Sequence, residues 1–133
     1  MSAVFSHVDL RVRDRERAIA FYDTILGALG LERTDGEEWT SYASPDEPPD
    51  RERIWFGFTV DPAMTPGSTR VALAAPTCED VDRVTRVLME AGAPNIEGPD
   101  YEYGPEYYAV FFEDHDGNRL EVCCYGPRAQ AAG

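Results

Sequence analysis

The chain has 133 residues, 43% of them hydrophobic and 11% aromatic, which fits one domain with a buried core and excludes a disordered chain. Its formal charge of −13 excludes nucleic acid and anionic membranes as favoured partners, because both are bound through basic surfaces. The sequence has no apolar run near the roughly 20 residues of a membrane helix and no signal-peptide pattern at its N-terminus, so we expect a cytoplasmic protein.

Three cysteines, Cys78, Cys123 and Cys124, do not form a disulfide framework. Cys123 and Cys124 are adjacent, so on a strand they point to opposite faces and would not bind one metal together. We therefore expect all three to be reduced thiols.

The first half of the chain predicts a strand, a helix and further strands. Apolar and polar residues alternate from Val4 to Arg13, which is typical of a half-buried strand. Asp14 is a suitable N-cap for an amphipathic helix from Arg15 to Leu29. The remaining predicted segments are strands at Leu31 to Thr34, Glu38 to Ala43 and Ile54 to Val60, and an exposed proline-rich loop from Ser44 to Arg53.

The second half repeats this order. A strand from Thr69 to Ala75 precedes a capping box at Thr77 and a second amphipathic helix. The two N-caps, Asp14 and Thr77, are 63 positions apart, and the apolar helix positions keep that offset. Strands are also predicted at Tyr107 to Glu113 and Arg119 to Tyr125.

Internal repetition of this kind predicts an α+β fold of two βαβββ modules, each a curved mixed sheet with one covering helix. The modules span about residues 4–60 and 69–125 and together form a single domain of residues 1–126. The last segment, residues 127–133, has no pattern and is expected to be a flexible tail.

Polar residues gather on one side of the predicted strands. The 63-residue offset relates His7 to Arg70, and both lie on the polar side of their strand. Asp9 and Arg11 share that side with His7, and Glu121 has the same position on the last strand. Polar side chains on an inner face are costly unless they pair or bind something, so we expect a small polar cup that takes a small-molecule ligand.

Two segments resemble the glyoxalase, bleomycin-resistance and extradiol-dioxygenase group, the vicinal oxygen chelate superfamily. The segment from His7 to Glu32 resembles the family's opening strand and helix, including its phenylalanine–tyrosine pair, and YYAVFFEDHDGNRLEVCCY resembles its closing hairpin. His115 takes the place of the usual turn proline, and we expect it to be exposed and without a chemical role. The resemblance implies a glyoxalase-like fold and a homodimer.

The resemblance also implies a divalent-metal site. Residue by residue, His7 and Glu121 match two of the family's ligands, whereas Arg70 stands at the third position and Trp55 at an optional fourth. Arginine is permanently charged and has no acceptor, so it cannot bind a cation. The cofactor stays unidentified: a metal held by His7 and Glu121 is one alternative, and Arg70 paired with Glu121 or contacting an anionic ligand is the other.

Further side chains are candidates for contacting the ligand. They are Arg70, Arg11, Trp55 and two tyrosines, Tyr101 and Tyr103, of the loop GPDYEYGPEYY, which in relatives often covers the cup. Core packing is the competing interpretation for Trp55, and an ion pair with Asp9 is the competing one for Arg11.

Three functions remain open. The first is a metal-dependent enzyme of glyoxalase or dioxygenase type, a lyase, isomerase or dioxygenase with a degraded metal site, in which His7 ligates and Glu121 ligates or acts as base. The second is a metal-free protein that sequesters a small molecule, as the family's antibiotic-resistance members do. The third is a metal-independent isomerase or epimerase with Glu121 or His7 as the base and Arg70 as the anion stabiliser.

Overall fold

The computed structural model describes residues 4–46 and 54–126. The chain divides into two compact units, residues 1–64 (unit 1) and 65–133 (unit 2). The predicted tail and most of the predicted proline-rich loop lie outside the described residues. Neither helix in the described ranges is long and apolar enough to cross a membrane.

Unit 1 has a four-stranded mixed sheet and one helix in the order β1, α1, β2, β3, β4. The elements are β1 (His7–Val12), α1 (Arg15–Ala28), β2 (Glu32–Asp35), β3 (Trp39–Ala43) and β4 (Trp55–Val60). The strand order in the sheet is β1-β4-β3-β2. β1 and β4 are parallel, and the other neighbours are antiparallel.

Unit 2 repeats this topology. Its elements are β5 (Arg70–Ala74), α2 (Cys78–Glu90), β6 (Glu97–Asp100), β7 (Tyr107–Glu113) and β8 (Arg119–Tyr125). The strand order is β5-β8-β7-β6, with β5 and β8 parallel and the other neighbours antiparallel. Two βαβββ modules with mixed sheets confirm the predicted α+β fold. The grouping of both modules into one domain stays a prediction.

The two helices begin as the repeat predicts, at Arg15 and Cys78. The Asp14 carboxylate accepts a hydrogen bond from the Arg17 backbone N–H at 3.1 Å. Thr77 forms a capping box, in which its hydroxyl accepts from the Asp80 N–H and the Asp80 carboxylate accepts from the Thr77 N–H. These side chains satisfy N–H groups that have no partner inside the first helical turn.

The core of unit 1 lies between α1 and its sheet. Tyr22 is fully buried, and its ring centroid lies 5.5 Å from those of Phe56 and Phe58 and 6.5 Å from that of Tyr42. Phe21 packs edge-on against Tyr22. The phenylalanine–tyrosine pair of the resemblance is therefore a core element that anchors the helix to the strands.

Two sequence expectations are wrong. The segment from Gly98 to Asp100, expected in a loop, belongs to the edge strand β6, where Pro99 is tolerated because an edge position does not require every N–H to bond. His115, expected to be exposed, has a side chain only 9% accessible, with Nε2 3.3 Å from an oxygen of Asp116. The turn folds inward because the buried Asp114 carboxylate accepts hydrogen bonds from the backbone N–H groups of Asp116 and Asn118.

Candidate functional site

The face of the unit 2 sheet that carries Glu121 is fixed by strand register. Side chains alternate along β8, so Leu120 and Val122 are fully buried on one face and Glu121 lies on the other. In register, Glu121 lies between Ala72 of β5 and Phe111 of β7. We refer to this face, which carries Glu121, as the open face.

A cavity of about 410 Å³ lies on the open face. Its lining side chains are Arg70, Tyr103, Tyr107, Phe111 and Glu121. Arg70, Tyr103 and Glu121 are sequence candidates, and the structure brings them together. The sequence analysis does not identify Tyr107 and Phe111 as site residues. The alternation along β7 could have found them, because Tyr108, Val110 and Phe112 are buried on one face and Tyr107 and Phe111 project from the other.

Glu121 is 7% exposed and is held by Tyr107, whose hydroxyl donates a hydrogen bond to Glu121 Oε2. Burial, then hydrogen bonding with the Cys123 thiol and the Glu121 carboxylate, raises the pKa of Tyr107 well above its usual range. Burial, and secondarily the charge of Glu121, also raises the pKa of the Cys123 thiol. At neutral pH the carboxylate therefore sits beside a neutral phenol and a neutral thiol.

Arg70 lies at the start of β5, on the open face. Its Nη1 donates to the carbonyl oxygen of Leu120 at 2.9 Å, and its guanidinium carbon lies 4.9 Å from the centroid of the Phe111 ring. Within the described part of unit 2, Arg70 forms no ion pair with Glu121, so the pairing alternative is not realised. A hydrogen bond to a carbonyl and a ring contact orient the guanidinium while leaving its positive charge uncompensated.

His7 and Trp55 lie together in unit 1. They are register partners at the start of β1 and β4, and their rings stack with centroids 4.3 Å apart and planes 6° apart. The Ser6 hydroxyl lies 3.0 Å from His7 Nδ1. Trp55 is half-buried and His7 is exposed, so the stack fixes the imidazole while leaving it accessible. Their roles in ligand or metal binding stay predictions.

Arg11 and Tyr101, two further candidates from the sequence, contact other side chains of the protein. Arg11 forms a 3.0 Å ion pair with Asp9, as its competing interpretation holds. Tyr101 packs against Tyr108 with ring centroids 4.8 Å apart, and its hydroxyl lies 3.9 Å from the Cys78 sulfur. Tyr101 is not among the side chains that line the unit 2 cavity, so its contact with a ligand stays a prediction.

The donor set of the unit 2 cavity does not fit a divalent ion. Glu121 supplies a carboxylate, but one of its oxygens already accepts from Tyr107, and Arg70 stands at the position of another ligand. In residues 4–46 and 54–126, no group of three or more histidine, cysteine, aspartate or glutamate side chains could hold a metal ion. Protein metal sites usually have three or four such ligands. Binding through His7 and Glu121 stays a prediction.

The chain is similar to known proteins over most of its length. The family model for the glyoxalase/bleomycin resistance protein/dioxygenase superfamily matches residues 4–122. A glyoxalase/bleomycin resistance protein from Albidiferax ferrireducens T118 is 26% identical, with a TM-score of 0.76 over 92% of this chain and 98% of that one. A provisionally assigned glyoxalase from Bacillus halodurans is 30% identical, with a TM-score of 0.71 over 91% of this chain and 95% of that one.

The fosfomycin resistance protein FosX from Listeria monocytogenes shares the fold, with a TM-score of 0.70 over 93% of this chain and 94% of that one, at 17% identity. No curated protein matches the chain. The family match covers both modules and includes both His7 and Glu121. The chain therefore belongs to the glyoxalase/bleomycin resistance protein/dioxygenase superfamily.

Proposed function

We propose that this protein binds a small organic anion in the unit 2 cavity without a metal ion. The observation that carries the proposal is the guanidinium of Arg70, which lines the cavity at a position where the family resemblance calls for a metal ligand. A guanidinium stays charged at all physiological pH values, attracts carboxylates and phosphates, and repels a divalent cation.

The rest of the cavity suits a small organic molecule. Tyr103, Tyr107 and Phe111 supply aromatic walls, while Arg70 and Glu121 supply one positive and one negative group. A volume of about 410 Å³ lies within the usual range of ligand pockets. Such a ligand would place its anionic group at Arg70 and an O–H, N–H or acidic C–H group at Glu121.

The simplest form of this function is sequestration of a ligand, as in antibiotic-resistance members of the family, because it requires binding alone. The proposal also includes the homodimer that the family resemblance implies and the cytoplasmic location expected from the sequence.

Calorimetric titration with benzoate tests anion binding. Replacing Arg70 with glutamine should weaken benzoate binding about 10-fold or more, because a hydrogen bond to a charged group contributes about 1.5–3 kcal/mol. Arg86→Gln is the matched control, since Arg86 is an exposed arginine on α2 of the same unit. Equal benzoate affinity in wild type and Arg70→Gln would overturn the proposal.

A second candidate function is proton transfer by Glu121, as in a metal-independent isomerase or epimerase. It is favoured by the burial of this carboxylate in the cavity and by the Tyr107 hydrogen bond that fixes one of its oxygens. A buried carboxylate with a fixed orientation can accept a proton from a carbon acid whose developing charge is stabilised by a nearby cation.

Deuterium incorporation tests this second function. With mandelate in D₂O, wild type should exchange the α-hydrogen, and Glu121→Gln should lower the rate at least about 100-fold while benzoate still binds. Proton NMR of mandelate follows the exchange. Binding without any exchange would reject proton transfer and leave anion binding in place.

A further inference from the structure

A second arginine stands beside Arg70 on the open face. Arg70 and Arg119 are the first residues of the parallel strands β5 and β8, and they are register partners. Neighbouring strands are about 4.8 Å apart, and register partners project to the same face. Glu121, two residues after Arg119, lines the cavity, which places Arg119 on the cavity side of the sheet.

Neither arginine is neutralised by a carboxylate of the described chain. Arg70 donates to the carbonyl oxygen of Leu120, and the guanidinium of Arg119 has no hydrogen bond or ion pair with residues 4–46 or 54–126. Glu113 is the register partner of Arg119 on the β7 side, yet the two form no ion pair in this part of the chain. Two arginines without a carboxylate partner among the described residues thus occupy adjacent register positions.

Such a pair is costly by itself. Like charges at directly opposed positions of a sheet destabilise it, and an anion bound between them removes the repulsion. The chain has 25 acidic residues against 12 lysines and arginines, so its overall charge repels anions. An anion that binds here must therefore be held by local contacts, and two guanidiniums supply more of them than one.

We propose that Arg119 is a second anion-binding residue, and that Arg70 and Arg119 together select a doubly charged oxyanion group such as a phosphate monoester. The inference rests on the proposed function and specifies its ligand class. Each guanidinium can donate two parallel hydrogen bonds to neighbouring oxygens of a phosphate, whereas a carboxylate has only two oxygens to share between two arginines.

The organic part of the ligand has a defined place beside this group. Phe111 already contacts Arg70, and the Tyr103 ring packs edge-on against Phe111 with centroids 5.6 Å apart. Tyr103 is 70% exposed, so much of its ring stays accessible beside Phe111, which contacts Arg70. A flat ring attached to the oxyanion would lie against Tyr103.

Titration with two probes that share a phenyl ring tests the inference. At pH 8, wild type should bind phenyl phosphate about 10-fold more tightly than benzoate, since each added charge-assisted hydrogen bond contributes on the order of 1.5–3 kcal/mol. Arg119→Gln should reduce this preference to within about 2-fold, because phenyl phosphate loses more hydrogen bonds than benzoate does. Arg86→Gln should keep the wild-type preference.

The charge of the probe offers an internal check. Phosphate monoesters lose their second proton near pH 6, so the wild-type preference should shrink at pH 5, where phenyl phosphate carries one charge. Arg119→Lys keeps the positive charge but loses the paired donors of the guanidinium, so its preference for phenyl phosphate over benzoate should be intermediate. This variant replaces Arg119→Gln in the test if Arg119→Gln does not fold.

The outcomes separate the two proposals. A wild type that does not prefer phenyl phosphate, or a preference that survives both Arg119 substitutions in folded protein, overturns the role of Arg119 while anion binding through Arg70 stands. If Arg70→Gln leaves the affinity for both probes unchanged, both proposals fail.

Discussion

Three tyrosine hydroxyls in residues 4–46 and 54–126 donate to carboxylates, and two of these tyrosines have a raised pKa. Tyr107 donates to Glu121, and Tyr42 donates to Asp23 at 2.8 Å. Burial first, and then the neighbouring carboxylates, raise the pKa of Tyr42 well above its usual value of 10.0. The pKa of Tyr107 is raised in the same direction. A raised pKa in the folded state means that folding favours the protonated phenol.

Stability should therefore depend on pH in the alkaline range. The contribution of a phenol with a raised pKa is complete below the unfolded value of about 10 and is lost as pH rises toward the folded value. At pH 8, Tyr42→Phe should lower the free energy of unfolding by about 1 kcal/mol, because the hydrogen bond to Asp23 is lost. This difference from wild type should shrink at pH 11. Urea unfolding at both pH values measures it.

Tyr125→Phe is the control for this experiment, because Tyr125 is 78% exposed. Its unfolding free energy should follow that of wild type at both pH values. A Tyr42→Phe penalty that is as large at pH 11 as at pH 8 would show that the phenol does not contribute in this way.

At the residue level, the sequence predicts part of the candidate site. Arg70 and Glu121 are found because the repeat and the family motif mark their positions, and Tyr103 because it lies in a covering loop. Tyr107 and Arg119 escape this reasoning, because their importance arises from strand register and from a side-chain hydrogen bond across β7 and β8. Register depends on the pairing of distant segments, which one sequence alone specifies weakly.

At the level of elements, the two helices are the best predicted features. Their N-caps are short-range signals, readable from four consecutive residues, and both form as expected at Asp14 and Thr77. The edge strand β6 was missed because Gly98 and Pro99 are typical of turns. An edge position next to β7 overrides that local preference.

The capping box of α2 offers a stability test. Thr77→Ala should lower the free energy of unfolding by about 1 kcal/mol, because the Asp80 N–H loses its acceptor. Thr77→Ser keeps a hydroxyl and should stay within a few tenths of a kcal/mol of wild type. Urea denaturation compares the three proteins. Equal losses for alanine and serine would mean that the threonine methyl group, and not the cap, stabilises the helix.

At the scale of the whole molecule, the two units use the same strand positions for different chemistry. The register pair at the start of the parallel strands is His7 and Trp55 in unit 1 and Arg70 and Arg119 in unit 2. Arg70 thus stands at the position where the family resemblance implies the third metal ligand. The repeat preserves the position and changes the chemistry, which is why the fold alone does not specify a function.

The most direct test is to treat wild type and Arg70→His with a chelator, dialyse both against Mn²⁺ and measure the metal content of each protein. We predict that wild type retains far less than one ion per chain, because Arg70 repels a cation where a ligand is required, and that Arg70→His gains affinity by supplying that ligand. One ion retained per wild-type chain, and lost on substitution of either His7 or Glu121, would contradict the account.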